Sequence, residues 1–197
     1  IDRICALFRA CLRCGKTLVI DPYTANVLAA VAELNPKIPT VTTAEQMKVY
    51  FPPRLTTLLT ERNQERYIYS LNPKQNKVSY DDFARSPEKY VMLVRPTTLT
   101  YLQRIKAPHI RLVKSIWDGY WNEPNIERFR DWVEEHCESV KDIHSSGHAD
   151  TQSLQRIVEF VRPKTIVPIH TDAPKRFCDI FVNNNVKCLD NNEVLYL

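Results

Sequence analysis

The segment "HSSGH" at residues 144–148 places two imidazoles around a Ser-Ser-Gly triplet, and few stretches of the chain are better equipped for chemistry. Imidazole titrates near neutrality, so His144 and His148 can donate to a phosphoryl oxygen or shuttle a proton. Ser145 and Ser146 add hydroxyl donors. Gly147 is one of only three glycines in 197 residues, where average usage would give about fourteen. It is expected to let the backbone take a left-handed or crowded conformation that exposes amide N–H groups. A helical pattern follows at once, and the unsatisfied donors of its first turn would point the same way, an arrangement that attracts phosphate. Further on, His170 ends the apolar run "TIVPI" and reads as a metal ligand held by rigid backbone.

Plainer explanations stand beside these. The His144-x-x-x-His148 spacing resembles a zinc-binding helix, but Ser-Ser-Gly is poor helix material and the glutamate of H-E-x-x-H is missing. Ser-Gly-His can be a tight turn, and a histidine at a strand end is often a hydrogen-bonded structural residue. Spacing alone leaves both readings of this region open. His109 and His136 look ordinary, the first in a loop after proline and the second on an acidic helix face. For Asp21, capping a helix is favoured over contacting a substrate.

Several elements must position these groups. "VKDI" at 140–143 and "TIVPI" at 165–169 read as strands, ending at His144 and His170. Between them Leu154, Ile157, Val158 and Val161 follow helical spacing, with Asp150 as N-cap and Pro163 as the stop. Strand, helix and strand predict one βαβ crossover, so the 144–148 loop and His170 should open on the same sheet edge. Upstream, "KTLVI" at 16–20 leads into a helix to about Leu34, begun by Asp21 and Pro22. "YVMLVR" at 90–95 and "IRLVKSIW" at 110–117 start two more strand-helix units, the second carrying the stripe Ile126, Phe129, Trp132 and Val133. Residues 52–89 are polar and proline-bearing and predict loops, short helices or an insertion. Strand-helix alternation predicts an α/β fold with a mainly parallel sheet, whose ligand sites lie at the carboxyl ends of strands.

Composition sets wide bounds. With 44% apolar and 25% charged residues the chain has material for a core, and its net charge of +4 gives weak support for an anionic partner. No apolar run approaches the length of a membrane span and the start lacks the layout of a secretory signal, so no membrane role and a cytoplasmic location are expected. A first residue of Ile rather than Met reads as a cut from something longer. The six cysteines are expected to be reduced thiols. Cys11 and Cys14 form a lone C-x-x-C, but Ile1, Ile4, Leu7, Phe8 and Cys11 recur at helical spacing, so Cys11 reads as a core thiol rather than a metal ligand.

The run "HSSGHAD…LQRIVEFVRPKTIVPIHT" resembles the paired terminal motifs of the β-CASP branch of the metallo-β-lactamase fold, which includes ribonuclease J and the cleavage factor of messenger-RNA 3′ processing. The segments "GKTLVIDPYTANVL", "VMLVRPTTL" and "SIWDGY" are similar in order and character to the β-CASP insertion. The resemblance implies a β-CASP-like domain over residues 1–139, a mainly parallel sheet with helices on both faces. Residues 140–197 would be the carboxyl-terminal strands and helices of a metallo-β-lactamase αββα core. By matching position, His144, Ser145, Ser146, Gly147 and His148 would hold a substrate phosphate. His148 would be motif B and the catalytic histidine, and His170, motif C, would bind zinc.

Two departures accompany the resemblance. Thr171 stands where many relatives have glycine after the motif C histidine, and the principal zinc motif, H-x-H-x-D-H, occurs nowhere in the 197 residues. The expectation is therefore part of a zinc-dependent ribonuclease, with two zinc ions in the full-length enzyme and at most one or two ligands from this fragment. The fragment alone should be inactive until joined by a missing amino-terminal half. RNA is the expected partner, with single-stranded DNA second and homodimerisation left open. The alternatives are a hydrolase of a small ester or phosphoester on the same fold, and a degenerate subunit that binds nucleic acid or protein without catalysis.

Overall fold

The computed structural model describes residues 1–105, 107–144 and 147–195. They fall into two compact units, Ile1–Ile143 and His144–Leu197.

The first unit opens with α1 (Asp2–Arg13), whose Phe8 and Cys11 are buried, as the helical reading of the C-x-x-C segment requires. β1 (Thr17–Ile20) and α2 (Pro22–Leu34) follow. Asp21 is the N-cap of α2, accepting from the Thr24 backbone N–H at 2.8 Å and the Thr24 hydroxyl at 2.9 Å. β2 (Met47–Val49) then leads into the proline-bearing region, which folds as the short helices α3 (Pro53–Glu61), α4 (Arg66–Tyr69), α5 (Pro73–Asn76) and α6 (Tyr80–Arg85). A capping box starts α6, with the Ser79 hydroxyl and the Asp82 backbone N–H 3.1 Å apart and the Asp82 carboxylate accepting from the Ser79 N–H at 2.8 Å. β3 (Tyr90–Met92), α7 (Leu99–Leu102), β4 (Ile110–Lys114), α8 (Asp118–Trp121), α9 (Glu127–His136) and β5 (Cys137–Asp142) complete the unit.

Pairing among these strands is parallel throughout, in two small sheets ordered β2-β1-β3 and β4-β5. The chain is thus α/β with small parallel sheets and helices. β1 lies in the middle of its sheet and is buried on both faces: Leu18 and Ile20 pack with Leu28, Met47 and Val49, while Val19 packs with Tyr50, Phe83 and Tyr101. That is why "TLVI" reads as an unbroken apolar run rather than an alternating one. A third cluster joins Leu102, Phe129, Trp132 and Val133, so the apolar stripe of α9 is its core-facing side.

The second unit contains α10 (Thr151–Val161) and α11 (Arg176–Ile180). Two expectations change here. The strand at 140–143 is the end of β5 in the first unit, hydrogen-bonded to β4, and 165–169 does not form a strand. The latter makes one parallel bridge, Ile166 to Val186. Pro168 explains this, since it has no N–H for a ladder and cannot sit within a regularly paired strand. The single sheet carrying both histidine loops is therefore absent among the described residues.

Candidate functional site

Local chemistry fixes α10 well. Asp150 accepts from the Ser153 backbone N–H at 2.8 Å and from its hydroxyl at 3.1 Å, and these bonds hold its carboxyl below the usual aspartate range. At the other end Arg162 adopts a left-handed conformation with φ 48°, its N–H donating to the Val158 carbonyl at 2.8 Å, and Pro163 prevents continuation. The helix thus separates the two histidine-bearing segments by a fixed length.

Beyond it, Ile166 is clamped to the returning chain, donating to the Asn185 carbonyl and accepting from the Lys187 N–H at 2.8 and 2.9 Å. Pro168 is buried, whereas Ile169 and His170 emerge to solvent. His170 itself carries a left-handed backbone, φ 53°. A histidine tolerates that region better than a β-branched residue such as Thr171 would. The Thr171 hydroxyl instead accepts from the Ala173 N–H at 3.2 Å, shaping the next turn.

The imidazoles of His148 and His170 meet edge to face, with centroids 5.4 Å apart and planes at 84°. Both are exposed, as are His144 and Gly147. Of the residues singled out by sequence, the structure brings these two histidines together. It does not add His144 as a third member of a metal shell, and Ser145 and Ser146 lie outside the described residues.

The left-handed or crowded backbone expected at Gly147 is not found. Its φ lies outside the left-handed region, and a Cβ built on it would meet nothing within 4 Å. Glycine permits unusual geometry without compelling it. Among the described residues of this unit the left-handed positions are Arg162, His170 and Asn192.

Zinc normally takes three or four nitrogen, sulfur or oxygen ligands from the protein. Among the described residues no group of three His, Cys, Asp or Glu could hold a metal ion, so they do not fit a complete zinc centre. Two adjacent exposed imidazoles can still bind and orient a phosphate through N–H donors.

The first unit holds an arrangement that sequence reasoning missed. At the carboxyl ends of β1 and β3, Arg95 donates from Nε to Asp21 at 3.2 Å and from Nη2 to Thr24 at 3.1 Å, and it lies 5.7 Å over the Tyr23 ring. These bonds join a helix cap to a loop 74 positions away, a link no local pattern announces. His136 stacks on Trp132 with centroids 5.1 Å apart, and His109 pairs with Glu138, consistent with structural roles for both.

Residues 132–176 match the family model of the Zn-dependent metallo-hydrolase RNA specificity domain. That is 45 of the 197 residues, running from the second half of α9 to the start of α11 and including His144, His148 and His170. The match supports the metallo-β-lactamase-fold family. Comparison with curated proteins and with solved structures gives no significant match.

Proposed function

We propose that the chain is the RNA-recognising, carboxyl-terminal part of a zinc-dependent ribonuclease of the β-CASP type. The observation that carries this reading is the edge-to-face pair His148 and His170, formed inside the segment that matches the RNA specificity domain. In this role the 144–148 loop holds a phosphate of the RNA backbone, with His148 donating to a non-bridging oxygen and orienting the scissile group. His170 offers one ligand to a zinc shell whose other members come from polypeptide outside these residues. That assignment agrees with the absence of H-x-H-x-D-H from the sequence.

The lack of a third ligand among the described residues also favours a second reading, a subunit that binds RNA without cleaving it. Both readings require the histidine pair to contact RNA. In fluorescence anisotropy with a labelled single-stranded RNA, His148→Ala should weaken binding about tenfold, the effect of losing one hydrogen bond to a charged group. The melting temperature should stay in place because the side chain is exposed. Unchanged affinity, or loss of stability in proportion, would defeat both readings. Turnover of the same RNA by the full-length protein separates them.

A further inference from the structure

The chain folds back on itself just after α11. The Phe181 N–H donates to the Phe177 carbonyl and the Asn184 N–H to the Phe181 carbonyl, both at 2.9 Å, and the Phe177 and Phe181 rings lie 5.9 Å apart. Phe181 is 5% exposed and anchors the reversal. The outgoing arm then runs along Ile166 through Asn185 and Lys187. Cys178 sits on the incoming arm, and Cys188 directly follows Lys187 on the outgoing one.

These two thiols are both exposed and interact side chain to side chain. Desolvation first, then the hydrogen bond and Coulombic interaction with Cys178, push the Cys188 thiol above the usual cysteine range. The other neighbouring pair in the molecule differs. Cys11 is 2% exposed within the first core, out of reach of a dissolved reagent, whatever the state of exposed Cys14. An approachable pair across a reversal is what an intramolecular disulfide needs.

We propose that Cys178 and Cys188 form a reversible disulfide by exchange with a low-molecular-weight disulfide such as oxidised glutathione. One cysteine, as thiolate, attacks a glutathione sulfur. Its S–S bond breaks, and one glutathione leaves as a thiol that takes up the displaced proton. The second cysteine then attacks the mixed disulfide at the protein sulfur and expels the other glutathione as a thiol. Two protein thiols are oxidised and one glutathione disulfide is reduced, with two hydrogens transferred.

The bond would join α11 to the arm that is already fastened to Ile166. Residues 167–175, with His170 among them, lie between those two attachment points. The oxidation state of the pair therefore sets how firmly the His170 turn is held at its two ends. The proposal does not depend on what the histidines bind.

Trypsin offers a direct test, because cleavage after Arg176 and Lys187 places the two cysteines on different peptides. The intact chain is incubated with oxidised glutathione, its remaining thiols are blocked with N-ethylmaleimide, and it is digested without reductant for mass spectrometry. The expected product is peptide 177–187 linked to the peptide that begins at Cys188, released by dithiothreitol. In Cys178→Ser the link disappears and Cys188 is recovered as its glutathione mixed disulfide. Recovery of both wild-type cysteines as maleimide adducts or as separate glutathione adducts would overturn the proposal. So would a link from Cys188 to Cys5 or Cys14.

Discussion

Helices α9 and α10 carry apolar residues at the same spacing, yet their surroundings differ. In α9, Phe129, Trp132 and Val133 are 4, 7 and 1% exposed and share a cluster with Leu102. In α10, Leu154, Ile157, Val158 and Val161 form an equally regular stripe, but no residue of the helix is buried, and Phe160 beside the stripe is 90% exposed. Periodicity reports which side of a helix is apolar. Whether that side is covered depends on contacts distant in sequence, and the difference between the two helices lies there.

The sharpest way to break this comparison is to truncate one side chain from each stripe. Phe129→Ala should lower unfolding free energy by roughly 3–5 kcal/mol, the usual cost of emptying a buried aromatic site. Ile157→Ala, 56% exposed, should change it by less than about 1 kcal/mol. Urea denaturation of both variants reads the contrast, and equal losses would mean that α10 is covered in solution.

Acid titration sharpens it at the helix starts. Asp82 is held below the usual aspartate range by the Ser79 hydroxyl first and the Ser79 N–H second, and Asp150 by the Ser153 backbone N–H first and its hydroxyl second. A depressed folded-state pKa means that each cap's contribution is complete above the unfolded aspartate value and is lost as pH falls through the lower, folded one. Carboxyl carbon shifts followed by NMR should therefore give midpoints below that of a free aspartate for both residues. A free-aspartate midpoint for Asp150 alone would show that the first turn of α10 does not persist in solution.

The smallest effect is expected at Tyr80. Its hydroxyl is buried without a hydrogen-bond partner, while its ring packs 4.5 Å from Tyr101. Tyr80→Phe keeps the ring contact and removes the unsatisfied group, so thermal unfolding should show no loss and up to about 1 kcal/mol of gain.

The extent to which these features were legible in sequence follows the range of the forces involved. Capping by Asp21 and Asp150, and the stop at Pro163, were readable because each acts within a few residues. The parallel character of the first unit was readable from strand-helix alternation, and the loops and short helices expected at 52–89 are found there, the helices being α3 to α6. The strand at 165–169 was misread because the apolar run outweighed the missing N–H of Pro168. Gly147 was misread because scarcity suggested a backbone need, while a left-handed turn falls on His170, a residue type that gives no such signal. The Arg95 to Asp21 bond spans 74 positions and has no local signature. That the 144–148 loop and His170 come together was expected from a single βαβ crossover; His148 and His170 do meet, but without the shared sheet on which that expectation rested.

Pro168 has one more consequence, for behaviour between molecules. Ile169 and Val182 present apolar side chains at 81 and 74% exposure in a unit whose described residues form a single β-bridge. A continuous strand there would offer another copy an open row of donors and acceptors, the usual seed of fibrous stacking. The proline ring interrupts that row, so the residue that denies the unit a proper strand also protects it from edge-to-edge growth.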